Sequence, residues 1–270
     1  MIPLEDGFAD VIGKAARGLE LTDERLARAA GLSVDEVRRA KAGEFDERVI
    51  RRLAPALHLG GDALVALGRG EYRPHEVAPI PGFLAFQTRW ADMTVNAYLV
   101  WDLKTREAAA FDTGGDCREM LEAIRERKLR LHSILLTHGH GDHIAALDRL
   151  KEETGASAYA GDREAVDGAE SFTAGREFQV GSLSIRTLLT SGHSPGGITY
   201  LVAAGDRLLA IVGDSLFAGS MGGGNVSYAD ALRNNREKIL TLPSETVICP
   251  GHGPLTTVGE EREHNPFFTS

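Results

Sequence analysis

Three histidines and one aspartate crowd into six residues of this chain, His138-Gly139-His140-Gly141-Asp142-His143. Imidazole nitrogens and carboxylate oxygens are ligands for zinc, iron and manganese. Setting several on one short loop lets a single strand end position them all, and the two glycines let the backbone turn tightly enough for the side chains to converge. Three further residues of ligand type sit in turn chemistry. His193 lies in Ser191-Gly192-His193-Ser194-Pro195-Gly196-Gly197, Asp214 in Val212-Gly213-Asp214-Ser215, and His252 in Cys249-Pro250-Gly251-His252-Gly253. Each follows an apolar β-type run, and strand ends of a layered α/β fold can gather in one crevice. Taken alone, a histidine beside glycine is a turn residue and an aspartate after a strand is a helix cap. Their company with residues 138–143 is what points to a metal.

Other reactive residue types lack such a setting. His58, His75, His132 and His264 read as surface or packing residues. Cys249 ends a β-type run and reads as a buried apolar group. Cys117 opens a helix, with no base identifiable beside it.

The elements that must carry these residues fall into two textures. Residues 1–73 are helical in pattern, about five short helices. Thr22 is the expected N-cap of the helix that stops at Gly31, and Ser33 with Glu36 forms a capping box for the helix that stops at Gly43. Residues 74–82 read as a linker, rich in proline. From residue 83 to 270, β-type runs alternate with helical stretches: strands at 95–102 and 107–112, a buried strand running into a loop over 131–139, helices at 117–128 and over DHIAALDRLKEE from Asp142, and later strands in SLSIRTLLT and ITYLVAAGDRLLAIVGD. Strands interleaved with helices predict α/β layers.

Composition bounds the function. The chain has 270 residues, 43% hydrophobic and 26% charged, with a net charge of −9. That length supports a full core, and no apolar run approaches membrane-span length. The acidic start is not a secretory signal, so a cytoplasmic location is expected. Two cysteines without a CxxC exclude a disulfide framework and a thiolate zinc cluster.

Residues 21–57 resemble the helix-turn-helix domain of phage repressors. The functional implication is DNA binding through residues 34–41; the bland one is packing or dimerisation. Residues 1–75 hold 12 Lys and Arg against 13 Asp and Glu, and Asp35 and Glu36 open the would-be recognition helix. The electrostatic contribution that dominates nucleic-acid affinity is missing, so a small-molecule substrate is expected rather than nucleic acid or membrane, with a homo-oligomer through the helical domain.

HGHGDH, GHSPGG, GDSLFAGS and PGHGPLTTVGEEREHNPF together resemble the metallo-β-lactamase superfamily, and within it the glyoxalase II-like branch. The resemblance covers residues 83–270. It implies an αββα sandwich, here preceded by a small all-helical domain. It implies two divalent metals, zinc expected and a zinc and iron pair as a variant. His138, His140 and His193 would hold one, Asp142, His143 and His252 the other, and Asp214 would bridge. A water shared by two such metals is acidified toward neutral pH and can attack a carbonyl, with Asp142 orienting it. The implied reaction is hydrolysis of a small thioester, a hydroxyacyl-thiol.

The sequence departs from the branch in two places. With 18 residues after His252, the C-terminal helical domain that holds glutathione in typical glyoxalase II is expected to be absent. Met221-Gly222-Gly223-Gly224-Asn225 stands where that branch often has arginine, threonine and aspartate. Three alternatives follow: a persulfide dioxygenase with a single iron on His138, His193 and Asp214; a DNA-binding regulator with a metal-dependent sensor; and a lactonase, which would place a tyrosine where Phe217 stands, three residues after Asp214.

Overall fold

A computed structural model describes residues 2–269. Five helices come first: α1 (Phe8–Gly18), α2 (Asp23–Ala30), α3 (Val34–Lys41), α4 (Glu47–Ala56) and α5 (Gly61–Gly68). Their ends are set as the capping residues predict. Thr22 accepts from the Arg25 amide, Gly31 ends α2 in the left-handed region at φ 63°, and Ser33 and Glu36 cap each other's backbone. Residues 71–80 then run without helix or strand.

Two six-stranded sheets follow. The first contains β1 (Phe83–Trp90), β2 (Met93–Trp101), β3 (Glu107–Phe111), β4 (Arg130–Leu135), β5 (Ser157–Gly161) and β6 (Glu170–Phe172), in that spatial order. β1 to β3 pair antiparallel, and β3 to β6 pair parallel. Helices α6 (Arg118–Glu126), α7 (Gly141–Ile144) and α8 (Leu147–Thr154) lie in the crossovers. The second sheet contains β7 (Glu177–Val180), β8 (Leu183–Leu189), β9 (Ile198–Ala204), β10 (Arg207–Gly213), β11 (Val247–Pro250) and β12 (Thr256–Thr257), ordered β12-β11-β10-β9-β8-β7. Helix α9 (Tyr228–Asn234), continued by one π-helical turn at Asn235–Ile239, precedes β11, and α10 (Val258–His264) follows β12.

Three apolar clusters hold the layers together. Tyr98, Phe111, Tyr200 and Ile211 lie among the buried residues between the sheets. Met120, Leu121, Leu147 and Leu150 pack α6 and α8 on the outer face of the first sheet. The third cluster joins Ile12, Leu26, Ile50, Leu53 and Leu64 of the N-terminal helices to Leu201, Ala210, Val212 and Ile248 of the second sheet. The architecture is an αββα sandwich preceded by an all-helical region, and that region helps build the outer helical layer of the second sheet. Its burial excludes water from both sides of the contact, each buried Leu or Ile contributing about 1.5–3 kcal/mol.

One expected helix is corrected. The stretch from Asp142 does not run as a single helix but breaks between Ile144 and Leu147, giving α7 and α8. The His143 carbonyl is taken by the Thr113 amide and hydroxyl, so it no longer serves the helix ladder. The short strands β5, β6, β7 and β12 carry too few residues for periodicity to declare them.

A buried carboxyl fastens the helical region to the sandwich. Glu261 of α10 accepts from Tyr72 Oη and Thr256 Oγ1 at 2.8 Å each, from Asn265 Nδ2 at 2.8 Å and from the Gly219 amide at 3.0 Å. Burial pushes its carboxyl up from 4.5 to about 7, against the four donors. Between those values the folded protein keeps a proton that the unfolded chain releases. Stability therefore falls as pH rises through that window and is flat above it. Glu261→Gln is expected to remove this slope, up to about 3 kcal/mol across the window. Denaturant melts of both proteins at pH 4.5, 6 and 8 check this; parallel profiles would refute it.

Candidate metal centre

The seven ligand-type side chains come from the ends of four strands and from the short helix α7. β4 runs into the loop that carries His138 and His140, and α7 turns Asp142 and His143 inward. His193 follows β8, Asp214 follows β10, and His252 follows β11. All seven converge in two adjoining clusters, His138 with His140, His193 and Asp214, and Asp142 with His143 and His252, the donor atoms of each cluster lying within 4.8 Å of one another. Asp214 stands between the two. Its Oδ2 is 3.3 Å from His193 Nε2 and 3.5 Å from His252 Nε2, and its Oδ1 is 3.3 Å from His143 Nε2.

The rings are aimed by partners on their far side. His252 Nδ1 donates to the Thr94 carbonyl at 2.7 Å, and His193 Nδ1 to the Gly223 carbonyl at 3.0 Å. His143 Nδ1 donates to Asp112 Oδ2 at 2.8 Å. The Thr137 hydroxyl gives its one proton to the same Asp112 oxygen at 2.8 Å, so it accepts from His138 Nδ1 at 3.0 Å. In each case a proton fixed on Nδ1 leaves Nε2 turned to the centre, the arrangement that metal-binding histidines use. His140 presents Nδ1, 2.9 Å from His138 Nε2 and 3.1 Å from His193 Nε2.

Two glycines permit the close packing. A Cβ on Gly222 would lie 1.8 Å from the Asp214 carbonyl oxygen, and one on Gly251 would lie 2.1 Å from Asp214 Oδ1. The glycine run at 222–224 therefore has a local task, which includes seating His193 through the Gly223 carbonyl.

The electrostatics describe a site whose carboxylates draw positive charge to them. Although burial opposes it, His143, His252 and His138 hold the Asp214 carboxyl well below its ordinary value. Asp142 is lowered against burial by His252 and His143. In return Asp112 and Asp214 push His143 up to about 10, and Asp142 and Asp214 push His252 up to about 11, burial opposing both. His138 and His193 are lowered, first by burial. His143 Nε2 and Asp214 Oδ1 are buried with no hydrogen-bond partner among the described residues. Five imidazoles and two carboxylates with orphaned inward-facing atoms fit a pair of divalent cations.

Asp112 is the functional residue that motif reading missed. It follows β3 with φ 56°, a backbone conformation with no sequence signature beyond the glycines that follow. The other four histidines stay outside the centre. His75 and His132 pair with Glu260 and Glu107; His58 and His264 belong to neither cluster. Cys249 is fully buried, which pushes its thiol above the ordinary value, as burial also does for Cys117.

Residues 90–252 match the family model described as the metallo-beta-lactamase superfamily. The chain is 34% identical to the probable metallo-hydrolase YqgX of Bacillus subtilis, over 67% of this chain and 97% of that protein. It is 30% identical to the hydroxyacylglutathione hydrolase GloC of Haemophilus influenzae, over 65% of this chain and 93% of that one. In structure it is similar to the BLEG-1 B3 metallo-beta-lactamase, with a TM-score of 0.60 and 29% identity over 69% of this chain and all of that one. Nearly whole relatives thus account for about two thirds of this chain.

Two outcomes follow from the site. Cation binding at the second cluster must expel the protons held by His143 and His252, so affinity should rise with pH, with about two protons released at pH 7. Calorimetry in buffers of different ionisation enthalpy measures that number, and zero release would refute the assignment. Asp112→Asn should weaken metal affinity about 10- to 100-fold while the fold is retained, read by competition with a chromophoric chelator.

Proposed function

Because this chain belongs to the metallo-beta-lactamase superfamily, we propose that its two ligand clusters hold two divalent metals, zinc in both, and that this metal-dependent hydrolase cleaves a small thioester. The observation that carries the reading is the convergence of all seven side chains into two adjoining clusters, with Asp214 of the first within 3.5 Å of His143 and His252 of the second. The similarity to a hydroxyacylglutathione hydrolase supports the thioester. Bound there, the cations supply Lewis-acid polarisation of the carbonyl and acidification of a water.

The chain's own residues do the rest. Asp214 links the two clusters, and its ionised carboxylate balances charge between them. Asp142, also held ionised, accepts a hydrogen bond from the attacking water and so aligns it with the carbonyl carbon. Buried Asp112 keeps His138 and His143 in the tautomer that offers Nε2. The β1–β2 hairpin stands beside the loop at Gly141, with Trp90 3.6 Å from the point a Gly141 Cβ would occupy and with Trp90 and Met93 exposed. That apolar rim suits a small acyl group.

Specific observations weigh against the other readings. The lactonase position is filled by Phe217, whose ring meets His252 edge-on at 5.8 Å and carries no hydroxyl. Tyr228 instead packs against Gly18 and Gly224. Several cations of the helix-turn-helix stretch are already paired: Lys41 and Arg38 with Asp23, and Arg48 with Glu36. The mononuclear-iron reading leaves Asp142, His143 and His252 without a task.

Metal analysis of protein purified without added metal or chelator is expected to give about two zinc per chain. Asp214→Ala should lose most of the metal and lower kcat/KM for a model acyl thioester on the order of a thousandfold. His252→Ala should cripple a two-metal hydrolase. One iron per chain with oxygen uptake intact in His252→Ala would replace this reading by the dioxygenase.

A further inference from the structure

The segment ahead of α1 reaches the metal centre. Asp6 is buried and accepts from Ser220 Oγ at 2.6 Å. Lys14 of α1 pairs with the same Asp6 carboxylate, donates to the Met221 carbonyl at 2.9 Å, and lies 5.0 Å from the centre of the Phe217 ring. That ring is the one set against His252. With Asp6 pinned, Glu5 falls beside Gly253, the residue after His252: a Cβ on Gly253 would meet the Glu5 amide nitrogen at 3.1 Å and Glu5 Cβ at 3.5 Å. Burial raises the Glu5 carboxyl above its ordinary value; His252 and Lys14 lower it, and Asp6 and Asp214 raise it.

Glu5 is solvent-exposed, and among the described residues it has neither a hydrogen bond nor an ion pair from its side chain. The cation beside it, Lys14, is committed to Asp6 beneath the rim. The family match begins at residue 90, so this carboxylate comes from the part of the chain that lies outside it. We propose that Glu5 is a specificity-determining residue of the metal cleft, favouring substrates that carry an ammonium or guanidinium group on the His252 side and disfavouring carboxylate-bearing carriers such as glutathione. The proposal rests on the hydrolase reading for its substrate, a thioester whose thiol portion is cationic. A carboxylate at a partly hydrated rim attracts one sign of charge and repels the other, and a neutral ligand does neither.

The test uses three thiols of matched length, cysteamine (cationic), 2-mercaptoethanol (neutral) and 3-mercaptopropionate (anionic), bound to the metal-loaded full chain and followed by calorimetry. Metal content is verified in each variant. Glu5→Gln is expected to lower the preference for cysteamine over 3-mercaptopropionate about tenfold. Glu5→Lys should lower it further, and 2-mercaptoethanol should move by less than about twofold. Glu126→Gln, which removes an exposed carboxylate on α6, should leave the preference unchanged. An unchanged preference in Glu5→Gln, or an equal change in Glu126→Gln, would overturn the proposal. Hydrolysis of the acetyl thioester of cysteamine is measured alongside. Its absence in the parent protein with the calorimetric shift intact would overturn the thioester reading and leave the role of Glu5 standing.

Discussion

Two parallel strands, β3 and β4, end side by side, and the Asp112 carboxylate spans their ends. It accepts from the Thr137 amide at 2.7 Å and the Thr137 hydroxyl at 2.8 Å, and from His143 Nδ1 at 2.8 Å. Through Thr137 it also sets His138. One buried carboxylate thus orients a ring in each ligand cluster, with no water in between. In a site of low dielectric such an anion has large influence, because little solvent screens it. The left-handed backbone at Asp112 is the local strain that this arrangement requires, and the surrounding sheet core over-determines it.

The same economy governs the rest of the centre. Four of the five rings are held by a backbone or side-chain partner on the edge opposite the cluster, and two of those partners come from distant parts of the chain: Thr94 at the start of β2 and Gly223 in the loop before α9. Gly251 and Gly222 let two loops approach Asp214 more closely than any Cβ would allow. The preorganisation lowers the ordering cost of binding cations, and it leaves inward-facing atoms that nothing among the described residues satisfies.

The N-terminal helices are more than an appendage in this architecture. Ile12, Leu26 and Leu53 share one buried cluster with Ala210 and Ile248 of the second sheet. Tyr72 and Glu261 add a polar fastening, and Asp6 with Lys14 and Ser220 adds another next to Phe217. A helical layer held at both ends can carry its leading segment to a fixed place at the mouth of the cleft.

What was legible in the sequence was local. HGHGDH, the caps at Thr22 and Ser33, and the ligand-type residues at 193, 214 and 252 are read from residue type and spacing, because capping and turn chemistry act within a few residues. The family resemblance extended that reading to a sandwich fold and a two-cluster arrangement. Other features lay beyond it. The break between α7 and α8 depends on Thr113 capturing the His143 carbonyl from another strand end. The role of Asp112 depends on β3 and β4 being neighbours, and the place of Glu5 depends on α1 docking some 200 residues away along the chain, at Met221 and Gly253. The sequence by itself determined which donors exist and which short segments present them. Only the tertiary structure decided which groups orient those donors and which carboxylate stands at the rim, because these contacts join residues that nothing but the packed sheets brings together.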